Sequence, residues 1–409
     1  MTPTQERPNG PIGESMTVDD FPYMGPGEKV QKLVTDQVNQ CKILHIQNTA
    51  MTLQSWDPVR MAACHAGSLS FEVVRQSPVG SAHIRNVDLL RIIFHRFMGV
   101  RQTFLAHHRG QPIRGLREGG NEREPLYPGQ YPPGVIDDHG FELELDGCVG
   151  RTWTHMHDAI VRVVFDLMRY AGMEVYKEHG GLFSHRIRQS SREAYLACPR
   201  REGLRPDILF REPPNASNNT WGRGKEILFD LKTLQPGSQH YGQGHHKAWQ
   251  PTQAVDRRAD GVPGIYRQKA RTADTKYNGL PASRNTAGPV ESELAKYKVI
   301  GLAVGAYGEV SKSMHRLMGM IAHNLAGKVG NDLGMLSLAS DSWEAKLAFA
   351  TQYVRREMSS CIARERAYCL LSRFRSHSSL ADPHPGHAAG AALGDFRSEP
   401  DLAPWVGGD

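Results

Sequence analysis

Two aspartates and a lysine in the middle of the chain have the side-chain chemistry of a divalent-cation site. Asp207 follows a proline, and Asp230 and Lys232 stand two residues apart in an otherwise apolar run. Side chains on a strand alternate between faces, so Asp230 and Lys232 should point the same way while Phe229 and Leu231 point into the core. The two carboxylates and the Leu231 carbonyl are hard oxygen ligands, which Mg²⁺ prefers, and they leave positions for water and a phosphate oxygen.

Lys232 adds chemistry beyond cation binding. A lysine beside two carboxylates can orient or deprotonate an attacking water and can balance charge that develops on a phosphorus centre. The alternative is an accidental ion pair, because Pro-Asp and Asp-x-Lys are each common by chance and an exposed ion pair has little energetic value. Both motifs, however, interrupt apolar runs on successive predicted strands, where an unpaired charge is unfavourable. The pattern therefore favours a hydrolytic site for phosphodiesters.

The elements that must position these residues belong to a mixed α/β fold. Helical periodicity, strand alternation and uninterrupted apolar runs are the signals used. In chain order they predict a helix over 155–172 that stops at Gly172, strands over 173–178, 206–210 and 226–234, a helix over 265–278, a buried strand over 298–304, and helices over 311–325 and about 343–374.

Changes in composition divide the chain into segments. Gly- and Pro-rich stretches mark linkers, and polar stretches of low apolar content are typical of disorder. The predicted segments are a disordered N-terminus (1–28), a helical domain (29–108), a linker (109–134), the α/β core (135–330), a C-terminal helix (340–375) and a disordered tail (376–409).

Charge, cysteine usage and hydropathy exclude several classes. The net charge of +6 is compatible with a polyanionic partner without requiring one. The 6 cysteines form no C-x-x-C pair, so neither a disulfide framework nor a zinc ribbon is predicted. Residues 1–28 have no apolar segment typical of a signal peptide, and no run of about 18 apolar residues occurs. We expect an intracellular protein, nuclear or cytoplasmic, that is neither secreted nor bound to a membrane.

The segment from His157 to Lys232 resembles the PD-(D/E)XK nuclease superfamily, through Pro206-Asp207 followed by Asp230-Leu231-Lys232. It is most similar to the restriction-endonuclease-like domains of non-LTR retrotransposons and related mobile-element proteins, over roughly residues 60–330. The resemblance implies a core of helix, three strands, helix and strand, between an N-terminal helical region and a C-terminal helix. It also implies that Asp207, Asp230 and Lys232 are catalytic, with Mg²⁺ or Mn²⁺ as cofactor and DNA as substrate.

The resemblance suggests an accessory role for His157 and Asp158, because the first core helix of the family often carries such residues near the active site. Helix capping and dipole stabilisation by Asp158 is the alternative. The family's zinc-knuckle-like cluster is reduced here to His139, Cys148 and the His155/His157 pair. An i, i+2 pair does not place both rings on one helical face, so a structural zinc is not expected.

The stretch between the first two predicted core strands is rich in arginine. Guanidinium groups make bidentate, salt-sensitive contacts to phosphates, so this stretch is a candidate nucleic-acid surface. A solvated basic face is the alternative. The candidate residues are Arg186, Arg188, Arg192, Arg200, Arg201 and Arg205. Trp221, in the next loop, could stack on a base or fold onto the protein itself.

We therefore expect a metal-dependent endonuclease that hydrolyses DNA phosphodiester bonds, and the resemblance implies its derivation from a retrotransposon or another mobile element. The main alternative is a catalytically inactive protein of the same fold that binds nucleic acid or acts as a scaffold, because fold alone does not determine activity. A structural protein with a coincidental motif would be indicated if the three residues lay far apart.

Overall fold

The computed structural model describes residues 69, 92–93, 102–113, 134–140, 142–144, 152–177, 181–197, 204–211, 221, 226–235, 251–306, 308–328 and 342–381. The predicted N-terminal segment 1–28 lies outside the described residues. So do most of the predicted helical domain and linker, Arg200 and Arg201, Cys148, and the predicted tail beyond residue 381.

Seven α-helices and four strands are formed by the described residues, which together make a mixed α/β fold. In chain order they are α1 (Thr152–Tyr170), β1 (Glu174–Lys177), α2 (Arg192–Leu196), β2 (Ile208–Arg211), β3 (Glu226–Thr233), α3 (Pro251–Asp260), α4 (Val262–Asn278), α5 (Pro289–Leu294), β4 (Lys298–Val304), α6 (Lys312–Lys328) and α7 (Trp343–Ala381). Short 3-10 helices cover Thr103–Leu105, Glu142–Glu144, Ser184–Arg186 and Gln189–Ser191.

The four strands form one mixed sheet in the order β1-β2-β3-β4. β1 pairs antiparallel with β2, and β2 antiparallel with β3. β4 pairs parallel with β3, from Ile227 opposite Lys298 to Thr233 opposite Val304. A parallel pair requires a long crossover connection. α3, α4 and α5 provide that crossover between β3 and β4.

The sheet is covered on both faces. One face packs against α1, α6 and α7 in the main hydrophobic core, which contains Ile160, Phe229 and Leu231. The other face packs against α4 in a second cluster, which contains Leu228 and Tyr266. Neighbouring residues of β3 therefore enter different hydrophobic layers, as strand alternation requires. The prediction that Phe229 and Leu231 point into the core is confirmed.

The first core helix ends at the predicted stop. Gly172 has a φ of 73°, which glycine adopts without steric cost. The N–H of Met173 donates to the Met168 carbonyl at 3.0 Å, and that of Gly172 to the Arg169 carbonyl at 2.8 Å. This pair of bonds is a Schellman motif, which satisfies carbonyls left free by the helix end. It turns the chain into β1 within a few residues.

Two helices of the crossover were not predicted from the sequence. α3 has few large apolar residues, and its buried side chains are Ala254, Val255 and Ala259. α5 has only 6 residues. Short elements of weak periodicity give little sequence signal, and packing against the sheet and α4 stabilises them instead. α7 also differs from its prediction, because it continues to Ala381.

α7 ties the sheet to the segments that precede α1. The buried guanidinium of Arg366 donates to the Leu234 carbonyl at 2.7 Å and to the Gly305 carbonyl at 3.0 Å. These carbonyls follow directly after β3 and β4, so one side chain caps two parallel strands. Further along α7, Arg373 donates to the Leu143 carbonyl at 3.1 Å.

Within the described ranges, no helix has the length and apolar character needed to cross a bilayer.

Candidate functional site

The pairing of β2 with β3 brings the predicted site residues together. Asp207 immediately precedes β2, and the register Ile208 opposite Phe229, continued by one pair, sets Asp207 beside Asp230. The N–H of Asp207 donates to the Phe229 carbonyl at 3.0 Å. In return, Asp207 Oδ2 accepts the N–H of Leu231 at 2.6 Å. This exchange fixes the Asp207 carboxylate at the carboxyl-terminal half of β3.

Asp230 is a buried carboxylate with few polar neighbours. It is 7% exposed, and its Oδ2 forms an ion pair with the Lys232 ammonium on the same side of β3. Oδ1 accepts a hydrogen bond from the Tyr266 hydroxyl at 3.2 Å. Burial raises the pKa of Asp230, and the negative charge of Asp207 adds to this, against the opposing effect of Lys232 and Lys269. Carboxylates whose pKa is raised by burial and by a neighbouring charge are frequent at functional sites.

His157 connects α1 to the same end of β3. Its Nε2 lies 3.1 Å from the Leu231 carbonyl oxygen and 3.3 Å from Asp207 Oδ2. Its Nδ1 lies 3.1 Å from Asp158 Oδ1. Burial favours the neutral ring, but the carboxylates of Asp207 and Asp158 outweigh burial and raise the pKa of His157 to about 9. The imidazolium therefore predominates near neutral pH and bridges the helix to the site.

The capping interpretation of Asp158 is wrong. α1 begins at Thr152, three residues before the predicted start, so Asp158 lies in its second turn, and its first turn contains no acidic residue. Dipole effects fall off within the first turn. Asp158 instead contacts the His157 ring and so lies next to the site.

Two further residues of the site come from α4 and were not identified from the sequence. The buried Tyr266 hydroxyl lies 3.1 Å from the Arg205 carbonyl oxygen and 3.2 Å from Asp230 Oδ1. Burial raises the pKa of Tyr266, and the charges of Asp230 and Asp207 raise it further. Lys269, one turn along α4, has its Nζ 5.9 Å from the centre of the Tyr266 ring. A Tyr-x-x-Lys spacing on the predicted helix 265–278 was the available signal, because i and i+3 share a helix face.

The described arginines of the candidate nucleic-acid surface are partly committed to internal contacts. Arg186 binds Glu293 Oε2 through Nε at 2.6 Å and Nη2 at 2.5 Å. Arg192 donates through Nε to the Ser184 carbonyl at 3.0 Å. Arg186, Arg188 and Arg205 remain exposed to solvent. These contacts hold the segment between β1 and β2 in place, and its role in binding nucleic acid stays a prediction.

Trp221 does not provide an exposed stacking surface. It is 6% exposed and belongs to the main hydrophobic core. Its ring contacts Phe229 edge-on at 4.9 Å between centroids, and the Arg316 guanidinium lies 5.3 Å from its centre. Of the two interpretations of this residue, folding onto the protein itself is the correct one.

The donor set at this site fits a hard divalent cation in its chemistry. Asp207 and Asp230 supply carboxylate oxygens and Leu231 a carbonyl oxygen, and Asp230 Oδ2 contacts the Lys232 ammonium. In the part of the chain that the structure describes, no group of three or more His, Cys, Asp or Glu side chains is arranged to hold a metal ion. Two carboxylates are sufficient for Mg²⁺, which usually keeps several waters. The Leu231 carbonyl would first have to exchange its contact with His157.

Comparison with known proteins gave no matching protein-family model and no significant match among curated proteins.

Proposed function

We propose that this chain is a metal-dependent endonuclease that hydrolyses DNA phosphodiester bonds. The observation that carries the proposal is the meeting of Asp207, Asp230 and Lys232 at one end of the β2–β3 pair, in a largely buried setting. A largely buried acidic pair beside a lysine contributes little to stability on its own, which favours a functional role for it.

The order of elements supports a restriction-endonuclease-like core. α1, the three antiparallel strands β1 to β3, the crossover helices and β4 follow one another in the order that the resemblance implies. The two acidic residues lie at the second and third strands of that series, Asp207 immediately before β2 and Asp230 within β3. A DNA substrate is consistent with a nuclear or cytoplasmic location, and the resemblance makes an origin in a mobile element part of the proposal.

The bound Mg²⁺ or Mn²⁺ would supply Lewis-acid activation of the attacking water and of the phosphate. Asp207 and Asp230 would hold it, together with the Leu231 carbonyl. Lys232 would orient the attacking water and stabilise the negative charge that develops on the phosphate oxygens. Its ammonium already lies against Asp230, so little movement is needed for it to reach a phosphate beside that carboxylate.

Positioning residues keep the two carboxylates in place. His157 lies against Asp207 and the Leu231 carbonyl, and Tyr266 holds Asp230 through its hydroxyl. Such support limits the motion of catalytic groups, because misplacement of about 1 Å can cost on the order of a hundredfold in rate.

Cleavage of DNA by the purified chain tests the proposal. We expect linear or branched DNA to be cut in Mg²⁺ or Mn²⁺ and to remain intact in EDTA, with phosphate ends that show hydrolysis. The control is the Lys312→Gln variant, whose lysine is 90% exposed and pairs with Asp256 outside the site. If wild-type protein that binds Mn²⁺ cuts no member of a broad DNA panel, the catalytic proposal fails.

A catalytically inactive nucleic-acid-binding or scaffold protein is the second candidate. It is favoured by the internal bonding of the carboxylates, because Asp207 Oδ2 accepts the Leu231 N–H and Asp230 Oδ1 accepts the Tyr266 hydroxyl. A site bonded in this way can persist without a cation. Tight DNA binding that is insensitive to EDTA, with no cleavage, would support this candidate over the enzyme.

A further inference from the structure

Lys269 is a cation of the site that the proposed chemistry leaves without a role. It lies on α4, one helical turn after Tyr266, whose hydroxyl binds Asp230. Its Nζ sits near the face of the Tyr266 ring, at 5.9 Å from the centroid. The charges of Asp230, Asp207 and Lys232 all act on it. Lys269 thus lies within electrostatic range of the carboxylates that Lys232 approaches, but on the helix rather than on the strand.

The ammonium of Lys269 differs from the two other cations of the site. Lys232 is paired with Asp230, and His157 with Asp207. Lys269 forms no ion pair and donates no hydrogen bond to any residue that the structure describes. It is nevertheless half-buried. A partly buried ammonium loses solvation, which the Tyr266 ring and the nearby carboxylates offset only in part, so an anionic acceptor for its three N–H donors would be favourable there.

We propose that Lys269 is a substrate-binding residue that donates to a non-bridging oxygen of the DNA phosphate held at Asp207 and Asp230. The ligand rests on the proposed function, and the binding role does not depend on turnover. Tyr266 is the positioning residue of this arrangement, because it touches Asp230 with its hydroxyl and supports the Lys269 side chain with its ring. α4 would then act as the wall of the site opposite α1.

The loss of solvation at Lys269 agrees with this role. Burial lowers the pKa of Lys269, and Lys232 adds to that effect, while Asp230 and Asp207 oppose it. The negative charge of a bound phosphate would raise the pKa of Lys269 and so favour its ammonium form. Removing the lysine should therefore weaken DNA binding without destabilising the fold.

The test is fluorescence anisotropy of labelled duplex DNA in Ca²⁺, with wild-type, Lys269→Gln and Lys269→Arg proteins. Lys276→Gln is the matched control, because Lys276 lies two turns further along α4, also near a tyrosine ring at 5.4 Å, but exposed. We expect Lys269→Gln to raise Kd roughly ten- to a hundredfold. The slope of log Kd against log salt should fall by about 0.9. Lys269→Arg should restore part of the affinity, and Lys276→Gln should match wild type.

A second measurement uses wild-type protein alone. Acetylation of Lys269, followed by mass spectrometry, should be suppressed by DNA, whereas acetylation of Lys276 should not.

The inference is overturned if Lys269→Gln binds DNA with the wild-type Kd and salt slope, or if both glutamine variants lose affinity equally. Unprotected Lys269 in a DNA-bound complex, or a wild type that does not bind DNA, also overturns it. If the proposed function fails and this inference holds, DNA is bound and protects Lys269 from acetylation, but the DNA is never cut.

Discussion

Two buried aspartates, Asp274 on α4 and Asp230 on β3, differ sharply in their surroundings. Asp274 is 0% exposed, and its carboxylate accepts the side-chain amide of Asn278 at 2.8 Å and the N–H groups of Val290 and Glu291 at 3.0 and 3.1 Å. Arg284 adds an ion pair at 3.6 Å. Asp230, at 7% exposure, has the Tyr266 hydroxyl and the Lys232 ammonium.

The difference separates a structural from a functional carboxylate. Asp274 satisfies the first N–H groups of α5 and so holds the crossover in shape, which is a complete use for its charge. Asp230 accepts one hydrogen bond, from the Tyr266 hydroxyl, and pairs with Lys232 through its other oxygen, and its pKa is raised, first by burial. Burial alone is common to both residues. The smaller set of donors around Asp230, none of them a backbone N–H, makes it the better candidate ligand for a cation.

The largest expected effect is on the cleavage rate, through Lys232, which pairs with Asp230. Lys232→Ala should slow single-turnover cleavage by roughly a hundred- to ten-thousandfold, because it removes the group that acts on water and on developing charge. Mn²⁺ affinity and DNA affinity should change little, since the metal ligands remain. Rapid-quench kinetics at saturating metal measures the rate. An unchanged rate would remove Lys232 from the catalytic account.

For the free energy of unfolding, the substitution at Asp274 should have a large effect and the substitution at Asp230 a small one. Asp274→Ala leaves buried N–H groups and Arg284 without their acceptor, and should lower the free energy of unfolding by about 3 kcal/mol. Asp230→Asn should change it by less than about 1 kcal/mol, because the lost ion pair with Lys232 is offset by relief of a buried charge. Urea denaturation of both variants checks the contrast. Equal destabilisation would show that Asp230 is also mainly structural.

The smallest expected effect is a pH dependence of the free energy of unfolding, contributed by Glu291 next to Asp274. Burial raises the pKa of Glu291, but the Gly288 N–H and the Arg284 guanidinium outweigh burial and lower it. A lowered folded-state pKa gives stability that is present above the unfolded pKa and is lost as pH falls through the folded pKa. Glu291→Gln should therefore remove part of the acid-side loss of stability, by no more than about 1 kcal/mol because the side chain is partly exposed. Thermal unfolding between neutral and acidic pH measures it, and an unchanged acid limb would contradict the assignment.

Much of the scaffold could be predicted from the sequence. The strands had clear signals, because Ile227, Phe229 and Leu231 alternate with residues of another layer, and residues 298–304 are uniformly apolar. The end of α1 followed from Gly172. α3 and α5 were not predicted, because their stability comes from contacts with distant segments rather than from their own periodicity.

The candidate site could be predicted only in its local part. Asp230 and Lys232 share a face through the two-residue period of a strand, and Pro206-Asp207 marked the neighbouring strand. Tyr266 contacts Asp230, and Lys269 lies near the Tyr266 ring, because α4 packs on the sheet. The Tyr-x-x-Lys spacing puts both residues on one helix face but does not predict that packing. The burial of Trp221 likewise depends on tertiary contacts.

Calorimetric titration of Mn²⁺ into wild-type and Asp230→Asn proteins tests most directly whether Asp230 is a functional carboxylate. Asp256→Asn serves as the control, because that aspartate pairs with exposed Lys312 away from the site. We predict that wild type and Asp256→Asn bind Mn²⁺ alike and that Asp230→Asn loses most of the affinity. Equal Mn²⁺ binding by Asp230→Asn and wild type, or no binding by folded wild type at millimolar concentration, would contradict the account.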